Sequence, residues 1–164
     1  MPTMDAATQD GAERAKRALE AAGIDHSVTR HGPVRSLAEA AAARGVEPGQ
    51  IIKTMVVRRG AEDHLFVLVP GDRQISWPKL RDLLGVSRIS MPDADAAREV
   101  TGYVRGTITP FGSLRQLPVI ADKRISGTVS IGGGAHGVAA TVAADDLVRV
   151  LDAQVADVTD ANPG

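Results

Sequence analysis

Two runs of β-branched and apolar residues, Ile51 to Arg59 and His64 to Val69, flank a polar turn at Gly60 to Asp63. That pattern commits the middle of the chain to a β-hairpin. The 164 residues around it are enough to bury one continuous core and too few for two domains of usual size. One domain spanning residues 1–151 is expected, followed by a frayed C-terminal tail at residues 152–164.

Helices bracket the hairpin. Ala15, Ala18, Leu19 and Ala22 fall at helical spacing between Gly11 and Ala22, and Gly23 suits the left-handed residue that ends such a helix. The short segment Asp25 to His31 favours a strand. Ser36 with Glu39 reads as a capping box opening an alanine-rich helix to Arg44, which Gly45 closes. Ser76 caps a helix to Leu84 that tolerates Pro78 in its first turn and stops at Gly85, and Asp93 caps another that ends near Thr101 and Gly102. Strands follow at Pro118 to Ala121, Thr128 to Ile131 and Val138 to Val142. A last helix covers Asp145 to Leu151, its two acids matching the N-terminal dipole. This order is too irregular for a doubly wound parallel sheet. A mixed sheet or barrel carrying outer helices fits it better.

Composition removes several classes of function. Without cysteine there is no disulfide, thiolate nucleophile or cysteine-ligated zinc. The polar first ten residues and the lack of any long apolar run argue against a signal peptide or membrane span, so a soluble cytoplasmic protein is expected. A formal charge of -1 provides no global field for a polyanion, and Phe66, Trp77, Tyr103 and Phe111 are the only aromatic platforms for stacking bases. Contact with nucleic acid would therefore be local, and DNA is not an expected partner.

Several residues carry chemistry. Alternation along β-hairpin residues 51–57 puts Lys53 on a face shared with Ile51, Met55 and Val57. A lysine there either snorkels to the edge or lines a polar pocket. The stretch Gly102 to Gln116, rich in Gly, Pro and Thr, is longer than compact domains usually keep without a function; it reads equally as a surface loop shaped by turn chemistry. Gly132 to Gly137 has the spacing of a dinucleotide fingerprint, but a strand rather than a helix follows it, so a tight turn is the better reading. His26, His31, His64 and His136 lack metal-ligand spacing, and neither a Walker A sequence nor a G-x-S-x-G nucleophile elbow occurs. No metal and no cofactor are expected. His31, beside Arg30, could line a pocket or simply be solvated.

Taken in order, Ile52-Lys53-Thr54-Met55-Val56-Val57, Val69-Pro70-Gly71-Asp72-Arg73, Thr101-Gly102-Tyr103, Ile108-Thr109-Pro110-Phe111-Gly112 and the Gly132 to Gly137 turn resemble the YbaK family, from about Ala18 to Leu151. That family includes free-standing YbaK and ProX-like deacylases and the editing insertion of bacterial prolyl-tRNA synthetases. The resemblance implies an α/β (α+β) fold, a mixed β-barrel-like sheet surrounded by helices, that binds the 3′ aminoacyl end of mischarged tRNA. It assigns the essential lysine to Lys53 and the substrate-facing loop to Gly106, Thr107, Thr109, Pro110, Phe111 and Gly112. Gly133 and Gly134 of the glycine turn, with His31, complete the expected substrate-binding set. Some members carry an acid after that turn; here Val138-Ala139-Ala140 stands instead, which leaves any general base unassigned.

The implied activity is hydrolysis of mischarged aminoacyl-tRNA by a positioned water. Ala, Cys, Ser or Pro would be the cargo, because a small second sieve corrects what a synthetase cannot reject by size. Scattered cations such as Arg30, Arg35, Arg105, Arg115, Lys123 and Arg124 would meet the tRNA, or a partner synthetase could supply tRNA specificity. The rivals are a non-catalytic module that binds aminoacyl-tRNA or a synthetase, and a small serine hydrolase unrelated to tRNA.

Overall fold

The computed structural model describes residues 6–163. Helix α1 (Ala6–Ala21) leads to strand β1 (Ser27–Arg30), helix α2 (Leu37–Arg44) and a single 3-10 turn at Pro48–Gln50. The hairpin β2 (Ile52–Gly60) and β3 (Asp63–Pro70) is followed by β4 (Arg73–Ile75), α3 (Trp77–Leu84) and α4 (Ala94–Thr101). After a long connection come β5 (Val119–Asp122), β6 (Thr128–Gly132), β7 (Val138–Ala143), α5 (Ala144–Leu151), β8 (Gln154–Ala156) and β9 (Thr159–Ala161).

The helix ends follow local chemistry. Ser36, Ser76 and Asp93 each accept a hydrogen bond from the amide three residues on, and Gly45, Gly85 and Gly102 close the same helices with positive φ. The expected capping box at Ser36 is half altered: Glu39 reaches back to the amide of Arg35 rather than to that of Ser36. The hairpin turns through Ala61 and Glu62, with Glu62 in the left-handed region at φ 60°.

The strands divide into an antiparallel sheet of order β1-β7-β6, a mixed sheet of order β2-β3-β5-β8, and the pair β4-β9. A mixed sheet carrying helices is therefore present, and no closed barrel forms among the described residues. Strand β3 is buried along nearly its whole length because both faces of its sheet are covered. On one face Ile52, Val56, Phe66 and Leu68 pack with Leu19 of α1, Val100 of α4 and Leu147 of α5. On the other Val57, Leu65, Val67 and Val69 pack with Leu80 of α3, Ile120 and Val158. Among the described residues no helix is long and apolar enough to cross a membrane.

The tail corrects an expectation. Residues after Asp152 do not fray: β8 runs parallel to β5, and β9 pairs antiparallel with β4. The cause is a buried carboxylate, since Asp122 accepts from the amide of Val158 at 3.2 Å and the hydroxyl of Thr159 at 3.0 Å. Arg124 joins it to Asp157, which also meets Lys79 of α3.

Candidate active site

Between the two larger sheets, the edge of β2 faces the edge of β6. An isolated bridge joins Ile51 to Ser130, and further along β2 Arg58 exchanges both backbone hydrogen bonds with Ser90. The register between β2 and β3 is unbroken from Ile52 to Arg58, so backbone direction alternates strictly between those points. Arg58 faces outward, and hence Thr54 and Val56 also present their N–H and C=O groups to the open edge. No backbone partner takes them among the described residues.

That gap is a cavity of about 630 Å³, within the usual size of a small-molecule site. Ile52 to Val56 of β2 form one wall, and Arg105, Gly106 and Ile108 face them from the long connection. Gly132 at the end of β6, Arg44 at the end of α2, and Met91 to Ala94 leading into α4 complete it. Gly132 is needed for closure, because a Cβ there would lie 3.0 Å from the Ile108 carbonyl oxygen.

Lys53 shares the β2 face of Met55 and Val57. Its Nζ donates to the carbonyl oxygen of Arg73 in β4 at 2.7 Å. An ammonium has three donors, and the others have no protein acceptor among the described residues. Burial lowers its pKa from the ordinary lysine value, and the charge of Asp72 acts in the opposite direction. Arg73 is itself held by Thr159, whose hydroxyl and carbonyl oxygens accept from its guanidinium.

The long connection is pinned from α1. Arg14 donates to the carbonyls of Gly112, Thr101 and Gly102, and its guanidinium lies 4.5 Å from the centroid of the Tyr103 ring. The Tyr103 hydroxyl donates to the Phe111 carbonyl at 2.6 Å, and burial pushes its pKa up to about 12. The part of the loop that reaches the cavity is therefore carried on a rigid base.

Of the residues expected from sequence to act, Lys53 and Gly106 line the cavity. Thr107, Thr109 and Phe111 are buried inside the loop: the Thr107 hydroxyl donates to the Val104 carbonyl and that of Thr109 accepts from the Phe111 amide. Pro110 and Gly112 are half-buried beside them, and Gly112 gives its carbonyl to Arg14. None of these five lines the cavity. Gly133 and Gly134 also lie off its wall, because their missing side chains admit other backbone. A Cβ on Gly134 would collide with the Gly11 carbonyl oxygen of α1, and one on Gly133 would press on Val138. His31 Nδ1 lies 2.8 Å from its neighbour's carbonyl, its buried Nε2 has no partner among the described residues, and His31 does not line the cavity. Val138, Ala139 and Ala140 are buried in β7.

Sequence reasoning passed over Arg44, Thr54 and the segment Met91 to Ala94, all of which line the cavity. The proposed tRNA cations divide as well: Arg105 stands at the cavity, whereas Arg115 and Arg124 are engaged by Glu62, and by Asp122 and Asp157. Among the described residues no cluster of His, Asp or Glu is arranged to hold a metal ion.

The family model for the aminoacyl-tRNA editing domain matches residues 31–150, a span that contains β2, the loop around Gly106 and the glycine turn. The chain belongs to the aminoacyl-tRNA editing domain family. Within that family it is 33% identical over 125 residues to a proline–tRNA ligase of Desulforamulus reducens, covering 72% of this chain and 22% of the ligase. It thus spans about a fifth of that enzyme's length. It is 24% identical over 131 residues to a candidate Cys-tRNA(Pro)/Cys-tRNA(Cys) deacylase of Enterococcus faecalis, covering 79% of this chain and 78% of the relative. A crystal structure described as a candidate trans-editing enzyme for prolyl-tRNA synthetase superposes with a TM-score of 0.84 at 27% identity, covering 97% of this chain and 100% of that one. The mixed α/β architecture of this editing-domain protein is that of the trans-editing structure.

Proposed function

We propose that this editing-domain protein is an aminoacyl-tRNA deacylase that hydrolyses the ester of mischarged tRNA in trans, in the cytoplasm, without metal or cofactor. The observation that carries the reading is the cavity at the open edge of β2, which Lys53, with N–H donors left unpaired among the described residues, lines together with Gly106. An aminoacyl ester is already activated, so orientation and charge stabilisation suffice and no strong nucleophile is required.

In this mechanism the 3′ aminoacyl-adenosine enters the gap between the sheet edges. Lys53 donates to the ester carbonyl oxygen, which becomes an oxyanion as a water molecule attacks the carbonyl carbon. The tetrahedral intermediate collapses, releasing the free amino acid and the terminal ribose hydroxyl. The main-chain groups of Thr54 and Val56 and the backbone at Gly106 hold the acyl end. With Val138-Ala139-Ala140 offering no acid, the substrate's own amine or vicinal hydroxyl assists proton transfer to the leaving oxygen.

The cargo follows from size. The mixed wall of Ile52, Met55, Val56 and Ile108 suits a small side chain such as that of Ala, Cys, Ser or Pro. Support for tRNA charged by prolyl-tRNA synthetase as the source comes from the relatives, whose names join proline–tRNA ligase, Cys-tRNA(Pro) and a prolyl-tRNA synthetase trans-editing enzyme. A deacylation panel of mischarged tRNAs tests the reading. Turnover confined to one or a few small amino acids is expected; binding without turnover for every cargo would leave a non-catalytic module instead.

A further inference from the structure

Arg44 is a cavity residue that the proposed chemistry does not use. It ends α2, where an arginine is ordinary as a complement to the helix dipole. Its surroundings are not ordinary. The guanidinium is taken partly out of water, and among the described residues it has no carboxylate partner, its Nη1 meets only the Ser130 hydroxyl, at 3.3 Å, and its buried Nε meets no acceptor. A second orphan stands in the same cavity, the buried hydroxyl oxygen of Thr54. Buried polar atoms are rarely left unpaired in a folded protein, and burial lowers the Arg44 pKa for want of a compensating anion.

The position of Arg44 relative to Lys53 narrows the missing partner. Ser130 alternates with Val129 and Ile131, both in the core that also takes Ile52. Ser130 and Lys53 therefore point to the opposite face, as does Ile51, which bridges Ser130. Arg44 thus stands beside the Ile51 end of the gap, and Lys53 follows two residues further along β2, about 7 Å of strand. On that strand spacing, a ribose whose 3′ oxygen lies at Lys53 carries its 5′ phosphate toward the Ile51 end of the gap, where Arg44 stands. The cations Arg44, Lys53 and Arg105 border this cavity against the single acid Asp93, whose carboxylate is already spent on capping α4.

We propose that Arg44 is the phosphate receptor of the site: with the ester at Lys53, its Nε and Nη groups bind the 5′ phosphodiester of the terminal nucleotide. This rests on the cavity's being the aminoacyl-adenosine site. A planar guanidinium presents a fork of donors that matches two phosphate oxygens, and a partly desolvated one is freed of its burial cost when an anion arrives. Holding the phosphate fixes where the ribose lies and so positions the ester, without Arg44 touching the reacting atoms. Arg44 is thus a positioning residue for cleavage and a binding residue for the nucleotide.

Titration calorimetry with adenosine 5′-monophosphate and with adenosine tests the assignment on the full chain, its Arg44→Met and Arg44→Lys variants. The wild type should bind the monophosphate about tenfold more tightly than adenosine, the value of one charged hydrogen-bonded contact. Arg44→Met should lose that preference while keeping its affinity for adenosine, and Arg44→Lys should restore part of it. With charged tRNA, Arg44→Met should flatten the dependence of log K on log salt by about 0.7, the share of one phosphate on a single strand. A preference that survives in Arg44→Met overturns the proposal, as does parallel loss of both ligands in Arg44→Met and Arg44→Lys. If neither ligand binds the wild type, the reading of the cavity fails, and the role of Arg44 with it; if adenosine binds the wild type without preference, only the role of Arg44 fails.

Discussion

Replacing Asp122 with alanine removes one side chain and unmakes the C-terminal closure of the fold. The carboxylate is buried and accepts from the amides of Val158 and Arg124, the hydroxyl of Thr159 and the guanidinium of Arg124. Breaking a buried charged pair by deleting one partner costs about 3–5 kcal/mol, and each buried donor left without an acceptor about 1–3 kcal/mol. These figures overlap rather than add. Arg124 is one-third exposed and keeps Asp157, so its share must be discounted for solvent. A net loss of about 3 kcal/mol remains, which for a domain of this size lowers Tm by about 6–12 °C. Scanning calorimetry on wild type and Asp122→Ala measures it, and hydrogen exchange at the Val158 amide reports the local opening. A Tm within about 2 °C of wild type, or a Val158 amide that stays protected, would refute the argument that this carboxylate holds β8 and β9 in place.

Gly134→Ala should cost about 2–4 kcal/mol, because its Cβ would collide with the Gly11 carbonyl at a φ of +87°. Gly23→Ala, at φ +69° with open space around it, should cost about 1 kcal/mol; equal Tm losses in the two variants would contradict the packing account. Acid should loosen the C-terminal closure before it unfolds the core. The guanidinium of Arg124 and the ammonium of Lys79 hold the Asp157 carboxyl well below the usual carboxylate range. Its folded pKa is depressed, so its contribution is complete above the ordinary value of 3.8 and lost as pH falls below it. An Asp157→Asn protein should show a shallower loss of stability between about pH 4 and pH 2, followed by urea unfolding. Parallel profiles for the two proteins would count against the ion pairs.

How far these features were legible depends on whether their causes are local. The caps at Ser36, Ser76 and Asp93 and the hairpin around Glu62 are decided by neighbours in sequence, and each stands close to where residue pattern places it. Strands β8 and β9 are short and partly exposed, with nothing apolar enough to announce them. Their order comes from Asp122, more than thirty residues away in the chain, which no local pattern reveals. The same division holds at the cavity. Lys53 stands out as a cation on an apolar strand, and Gly106 as part of a loop too long to be idle. Arg44 looks like any helix-ending arginine until α2 is seen to close on β6. Thr54 becomes notable only because β2 has an open edge, a property of how two sheets meet. The glycine turn divides the two kinds of reading: its context marks it as a tight turn and the family resemblance gives Gly133 and Gly134 to the substrate, whereas Gly134 serves the close approach of α1.

The central claim is that Lys53 donates to the oxygen that gains charge as the ester is cleaved. Single-turnover deacylation of one accepted mischarged tRNA, by wild type and by Lys53→Ala at saturating enzyme, tests it most directly. Loss of one such donor should slow the chemical step about 10²–10³-fold while the melting temperature and the affinity for uncharged tRNA hold. A Lys53→Ala protein that cleaves at the wild-type rate would contradict the account.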